Sequence, residues 1–268
     1  MLLLHDLASN ARIWEKVAIL LANRNFSLIA PDLRGHGLTD KPENSYDFET
    51  ILRDLLAFIE AAHLERPLLV GHSWGGLLAL EYAARFSFGP RAPSGLLLMD
   101  GGLTQMDDAP GASWDLVKQK LDSSHSASVS LEYLLHNLSI GHRKWIPDEQ
   151  DIQAILANYE IDEQETVSPR LGYDQHLQIL RAVWDFKTYE RFERLKCPVS
   201  AVLAMPSPPY SSEEEYLLEL KRRGLAQAQT QINDLRIHWI EDCNHVLPLD
   251  QPHKLADLIA ALVPDTSP

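Results

Sequence analysis

Gly71-His72-Ser73-Trp74-Gly75 follows the apolar run Pro67-Leu68-Leu69-Val70 and leads into a stretch with helical patterning. A strand that turns into a helix within so few residues needs small side chains at the turn, and Gly71 and Gly75 flank Ser73 accordingly. The turn lifts the Ser73 hydroxyl clear of the backbone. Because the next amide opens the helix, the Trp74 N–H is aimed where a tetrahedral oxyanion would form, helped by the positive end of the helix dipole. The pentapeptide alone occurs in many chains; the strand before it and the helix after it make it a nucleophile elbow.

On both sides of the elbow, apolar runs alternate with amphipathic stretches, the pattern of a parallel sheet covered by helices on both faces. Toward the N-terminus, Leu2 to His5 reads as a strand, Arg12 to Arg24 as a helix through Ile13, Val17, Leu20 and Leu21, and Phe26 to Ala30 as a second buried strand ended by Pro31. Asp47 to His63 repeats the helical spacing through Ile51, Leu55, Phe58 and Ile59. Beyond the helix Gly75 to Phe86 comes the strand Gly95 to Met99, closed by Asp100-Gly101-Gly102. Residues 103–185 then break the alternation with helical patterning and no clear strand, with loop signals at Asp107 to Gly111 and Ile146 to Asp148. A strand at Pro198 to Leu203, a helix at Ser212 to Arg223, a strand at Leu235 to Ile240 and a helix at Pro252 to Leu262 complete the pattern.

These features define one core, residues 1–102 with 186–268, interrupted by an inserted cap at 103–185. A chain of 268 residues with 45% hydrophobic content is long enough to bury such a core. The formal charge of −14 argues against nucleic acid or an anionic membrane as partner. Cys197 and Cys243 are too few for a secreted disulfide framework and form no zinc pattern. The apolar start Met1 to Leu4 is cut off by His5 and Asp6, far short of a signal peptide or membrane span, so a cytoplasmic protein is expected.

Taken together, the residues resemble the α/β-hydrolase superfamily. His5-Asp6 stands where that family usually has His-Gly, Pro31-Asp32-Leu33-Arg34-Gly35-His36-Gly37 matches its signature loop, Gly71 to Gly76 matches its elbow, and His245 falls where its late histidine is expected. The resemblance implies a mostly parallel central sheet flanked by helices, with a helical cap inserted after the sixth strand of the family sheet. It also implies an N-terminal β-hairpin, for which this sequence has no residues. In the family order that hairpin would pair with the strand at 26–30. Without the hairpin this strand is an exposed edge, so either the true start lies upstream or a partner chain, as in a homo-oligomer, covers it.

A serine hydroxyl needs a base as it attacks, and histidine has the matching pKa. Among eleven histidines, His245 is favoured because Asn244-His245-Val246 lies at the carboxyl edge of the sheet, where ligands bind in open α/β folds. His5 and His36 belong to loops that shape the fold, and His72 packs or hydrogen-bonds beside the nucleophile. The acid that orients the imidazole is harder to place, because the loop after the strand at 198–203, Ala204-Met205-Pro206-Ser207-Pro208-Pro209, has no carboxylate. Asp100, one strand nearer the nucleophile, is the candidate, with Asp242 as the alternative. By analogy with the family, the Leu7 N–H joins that of Trp74 as oxyanion donor, with Leu7 and Trp74 also touching substrate. Asp6 should then turn its carboxylate away from the pocket.

Serine at the elbow argues against epoxide and halide chemistry, which need a carboxylate nucleophile. Acyl transfer to water remains, on an ester, thioester or amide or on an activated ketone. No metal-ligand or phosphate-binding pattern accompanies the site, so no cofactor or metal is expected. The cap should shape a pocket for a hydrophobic acyl group or small aromatic ester, with Trp74, Trp114, Trp145 and Trp184 as candidate lining. The acidic segment Glu160 to Glu165 reads as solvated surface. Two other functions fit the same residues: a ligand receptor or weakly active protein of this fold, and lyase or perhydrolase chemistry on the same triad.

Overall fold

Three strands without a single charged side chain run through the middle of the molecule: β1 (Leu2–Leu4), β2 (Leu68–His72) and β3 (Gly95–Met99). A computed structural model describes residues 1–108, 111–124, 129–140 and 145–262. Part of the loop expected at 107–111 and the last six residues of the expected core lie outside the described residues. The sequence order of the strands continues with β4 (Val129–Ser130), β5 (Tyr159–Ile161), β6 (Thr166–Pro169), β7 (Val199–Met205) and β8 (Leu235–Glu241). The main sheet is five-stranded in the order β1-β2-β3-β7-β8, and every pairing is parallel.

Successive side chains of a strand point to opposite faces, which divides these apolar runs between two cores. Leu2, Leu4, Leu69, Leu96, Leu98 and Leu203 face one side. There they pack against α2 (Phe48–Ala61), α3 (Trp74–Arg85) and other helices introduced below. Leu3, Val70, Leu97, Met99 and Val202 face the other, where they meet α1 (Glu15–Ala22) and the C-terminal helix through Val17, Leu21, Leu255 and Ile259. Burial on both faces explains why these strands read as continuous hydrophobic runs and not as alternating ones.

The strand expected at Phe26 to Ala30 is reduced to a single parallel bridge, Ile29 to Leu2, held by Leu3 N–H to Ile29 O at 2.9 Å and Ile29 N–H to Met1 O at 3.0 Å. It is half-exposed instead of buried. Among the described residues it pairs with β1 alone and through this bridge only, too few ladder bonds for a full strand.

Residues 103–185 carry α4 (Trp114–Ser124), α5 (Leu131–Ser139), α6 (Glu149–Leu156) and α7 (Tyr173–Asp185). They also hold a feature absent from the sequence reading, a three-stranded antiparallel sheet in the order β4-β6-β5. Its strands are two to four residues long, too short to show periodicity. The acidic run Glu160 to Glu165 forms the exposed hairpin turn, with Asp162 Oδ1 accepting the Gln164 and Thr166 amides. Buried Asp151, capping α6 and 2.6 Å from Lys16 Nζ, ties the insertion to α1.

After the cap come α8 (Tyr189–Phe192), α9 (Ser212–Gln231), α10 (Leu247–Asp250) and α11 (Pro252–Leu262). Helix α9 runs eight residues past its expected end at Arg223. Gly224, which reads as a stop, is instead a contact point: a Cβ there would lie 2.3 Å from Leu103 O. Both cysteines are free thiols. No helix among the described residues is long and apolar enough to cross a membrane.

Candidate active site

Ser73 sits between the last residue of β2 and the first of α3 with φ +52° and ψ −113°, a conformation few side chains adopt. The surrounding backbone holds it there. Ser73 N–H donates to Met99 O at 2.8 Å, and Gly76 N–H donates to Ser73 O at 2.9 Å. The turn closes so tightly that a Cβ on Gly71 would lie 2.3 Å from Gly75 O, and one on Gly75 would lie 2.4 Å from Leu4 O. Only glycine permits that approach, which is why the two flank the serine.

Asp100 follows the last residue of β3, and the sheet order sets β3 beside β7. The carboxylate is fully buried, and each of its oxygens has a separate task. Oδ2 accepts His245 Nδ1–H at 2.6 Å, and Oδ1 accepts Ala204 N–H at 3.0 Å. The strand whose own loop lacks an acid thus supplies an amide to the acid of its neighbour. Lys221 Nζ, from α9, lies 2.7 Å from Oδ1 and 2.9 Å from Oδ2, and also donates to Ala204 O at 2.9 Å. Burial opposes charge on Asp100, but the hydrogen bond and charge of His245 and the charge of Lys221 outweigh it and hold the carboxyl down at about 2. Asp242, the alternative acid, is exposed and takes its hydrogen bond from Ser207.

His245 stands in the loop between β8 and α10, and 47% of its side-chain surface is open to the cavity described below. Its backbone is anchored from the elbow itself, since His72 Nε2–H donates to His245 O at 2.7 Å. His72 is buried, and desolvation lowers its pKa. Its part is to fix the loop that carries His245, in keeping with the expectation that it packs or hydrogen-bonds. Burial likewise favours neutral His245, but the hydrogen bond to Asp100 and the nearby Asp6 carboxylate outweigh it and raise its pKa to about 10.

Asp6 overturns one expectation. Its carboxylate does not turn away: Oδ1 accepts the Leu7 N–H at 2.6 Å, Oδ2 lies 3.5 Å from His245 Nε2, and the residue lines the same cavity as Ser73. The physical reason lies in the neighbours, because the His245 imidazole and the Leu7 amide converge there and an acid pointing elsewhere would forgo both. Desolvation works against the charged form, but His245, His72 and Ser73 hold Asp6 well below the usual carboxylate range. The Leu7 amide assigned to the oxyanion hole is thus donating to Asp6.

The loop carrying Asp6 is propped by two neutral histidines. His5 Nδ1–H donates to Asp6 O at 2.7 Å while its Nε2 accepts Leu33 N–H at 3.0 Å, and desolvation lowers its pKa to about 4. His36 Nδ1–H donates to Arg34 O at 2.9 Å, its Nε2 accepts Ala8 N–H, and its ring stacks on Trp74 with centroids 5.1 Å apart. Desolvation takes it down to about 3. The histidines of the two signature loops thus hold the Asp6 to Ala8 loop in shape.

Asp6, Ser73, Asp100, Lys221 and His245 line a cavity of about 1060 Å³ between the sheet edge and the inserted segment. Leu7, Leu77, Leu103, Val117, Leu180 and Leu217 give it an apolar wall. Trp74 is part of that wall, whereas Trp114, Trp145 and Trp184 are not. Trp114 and Trp184 pack on each other, with centroids 6.4 Å apart and the Arg181 guanidinium over the Trp114 ring. Trp145 packs onto the core on the α1 side.

This geometry can be set beside known proteins. A model of the alpha/beta hydrolase family matches residues 1–258. The chain belongs to that family. It is a hydrolase by family, and its sheet, elbow and late histidine follow the family plan. It is 28% identical to an uncharacterized protein of Mycobacterium tuberculosis, over 100% of this chain and 76% of the other. It is 38% identical to 2-(acetamidomethylene)succinate hydrolase of Mesorhizobium japonicum over 32% of this chain and 31% of that one. Among solved structures, an E-2-(acetamidomethylene)succinate hydrolase superposes with TM-score 0.76 at 21% identity, covering 97% of this chain and 90% of the other. An esterase from Exiguobacterium antarcticum does so with TM-score 0.73 at 19% identity, covering 97% and 90%. At such identities the superpositions speak for the fold.

Two features of this hydrolase's site were not read from its sequence, namely Lys221 and the inward pose of Asp6. Lys221 did carry a signal. It lies in register with buried Leu218, Leu225 and Ala228, so it is a cation on the inner face of α9 and in need of a partner. Among the described residues, Asp6, His72 and His245 offer donor atoms within 4.8 Å of one another, close enough for a metal ion. His72 Nε2 and His245 Nδ1 already donate to a carbonyl and a carboxylate, so His72 Nδ1, His245 Nε2 and the Asp6 carboxylate are the atoms left to act as ligands.

Proposed function

We propose that the protein is a serine hydrolase that cleaves a carboxylic ester or a related acyl compound through an acyl-enzyme on Ser73. The observation that carries this reading is the 2.6 Å contact between Asp100 and His245 Nδ1, with Ser73 and His245 facing the same apolar cavity. The Nδ1 contact leaves Nε2 to take the Ser73 proton as the hydroxyl attacks the carbonyl carbon and to return it to the leaving group. Water then repeats the sequence on the acyl-enzyme. In this reading the Trp74 amide, at the head of α3, and the Leu7 amide, once Asp6 releases it, donate to the oxyanion. Leu7, Trp74 and the apolar wall suit a hydrophobic acyl group. The reaction needs no cofactor.

Incubation with a fluorophosphonate probe and a panel of p-nitrophenyl esters tests the proposal. Stoichiometric labelling of Ser73 and ester turnover, both lost in Ser73→Ala, are the expected results. Turnover that survives Ser73→Ala would refute the mechanism. One observation favours a second reading: the Asp6 carboxylate occupies the Leu7 amide and lies 3.5 Å from His245 Nε2, as suits a ligand receptor or slow hydrolase. Rapid labelling without turnover of any ester would support that reading instead.

A further inference from the structure

The place where an oxyanion belongs is taken by the protein's own carboxylate. Asp6 stands where the resembling family has glycine, and its carboxylate takes the Leu7 amide at 2.6 Å and lies 3.5 Å from His245 Nε2, in the cavity that Ser73 also lines. In acyl transfer the Leu7 amide, His245 and Ser73 serve the tetrahedral intermediate, as amide donor, proton carrier and attacking oxygen. That intermediate places a negative oxygen among them beside a protonated imidazole. A carboxylate on the same amide, beside the same imidazole, reproduces that charge arrangement with no substrate bound.

We infer that Asp6 determines substrate charge: its carboxylate stands in for the oxyanion, and it selects acyl compounds that carry an ammonium group close to the scissile carbonyl. The inference rests on the acyl-enzyme reading above. For the carbonyl oxygen to take the Leu7 amide, the carboxylate must leave it. A neutral acyl group offers the departing carboxylate nothing. An ammonium within a few bonds of the carbonyl offers an ion pair at the position to which the carboxylate moves, and a carboxylate on the substrate adds a like charge. The other cations at the cavity are already engaged: Lys221 with Asp100, and Lys120 with Glu213 at 2.6 Å. Glu214 adds a further carboxylate to the lining.

The same carboxylate sets the state of the base. His245 is faced by Asp100 from the end of β3, Asp6 from the loop after β1 and His72 from the end of β2, with Lys221 of α9 acting on it through Asp100. With its pKa near 10, only about one His245 in a hundred is neutral at pH 8, and the loss of one anion raises that fraction.

The test compares wild type, Asp6→Asn and Asp6→Gly on three matched p-nitrophenyl esters: propanoate, 3-aminopropanoate and the monoester of succinate. Fluorophosphonate labelling counts active sites, and circular dichroism checks folding. Asn keeps the size of the side chain and removes its charge, so it answers the question if the glycine variant is poorly folded. In wild type the aminopropanoate should exceed the propanoate at least tenfold in kcat/KM, with the succinate slowest. In either variant the propanoate should rise at least tenfold, the ranking should flatten, and the pH at half-maximal kcat/KM should fall by one unit or more. Labelling in all three proteins with an unchanged propanoate rate, or with no ammonium preference in wild type, would overturn the inference alone. A wild type and variants that neither label nor turn over any ester would overturn the acyl-enzyme reading, and this inference with it.

Discussion

Asp100→Asn is the most demanding perturbation of this site, because both carboxylate oxygens accept hydrogen bonds and an amide can accept through one atom only. Oδ1 faces the Ala204 N–H, Oδ2 faces His245 Nδ1–H, and the Lys221 ammonium lies within 2.9 Å of each. Whichever way the asparagine turns, its NH2 group confronts a donor. If it faces His245, the imidazole must flip its tautomer and present an N–H to Ser73, which removes the base. If it faces Ala204, a buried amide loses its acceptor. The loss of a triad acid of this kind costs about three to four orders of magnitude in turnover, or about 4 to 5.5 kcal/mol of transition-state stabilisation. The stability cost is separate. A buried carboxylate that leaves its cationic partners unpaired costs about 2 to 4 kcal/mol, and at about 2 to 4 °C per kcal/mol the melting temperature should drop by about 5 to 15 °C. The assay is kcat/KM on a p-nitrophenyl ester for folded, titrated enzyme, alongside thermal unfolding at the same pH. A variant within threefold of wild-type activity would refute the assignment of Asp100, whatever its melting temperature.

Ser73→Ala and His245→Ala should each lower turnover by at least about a thousandfold with the fold intact by circular dichroism. Lys221→Met removes a cation near His245, so the imidazole should hold its proton more tightly and the pH–activity limb should move to higher pH; an unchanged profile would deny Lys221 any role in positioning Asp100. Gly75→Ala would press a Cβ to within 2.4 Å of Leu4 O, a backbone atom that cannot yield, and should destabilise by about 3 kcal/mol in denaturant titration. The two shifted groups also act on stability with opposite signs. The raised pKa of His245 gives stability that is whole below about 6.5 and lost as pH rises toward 10, while the depressed pKa of Asp100 gives stability present above about 4 and lost as pH falls toward 2. Unfolding followed from pH 2 to 10 should show both flanks in wild type, and both should flatten in Asp100→Asn.

Much of the core was legible because its signals are local. Continuous apolar runs at 2–4, 68–70 and 95–99 identify strands buried on both faces, and a serine between two glycines after such a run identifies a tight strand-to-helix turn. Each statement concerns neighbours in the chain. The short strands at 129–130, 159–161 and 166–169 were not legible, because two to four residues pair only when the fold brings their partners within reach. The helix beyond Arg223 was missed for a related reason, since the value of Gly224 lies in its closeness to Leu103, far away in sequence.

The site divides along the same line. The kinds of groups present, a hydroxyl on a turn, a late imidazole and an acid after the third strand, follow from the sequence, since motif and element order are properties of a line of residues. What those groups do to one another follows only from the folded chain. That Asp100 is shared by His245 and Lys221, and that Asp6 turns inward toward His245, are outcomes of competition among charges within a few ångströms. Electrostatic energy depends on separation in space and on burial, and neither is written along the chain.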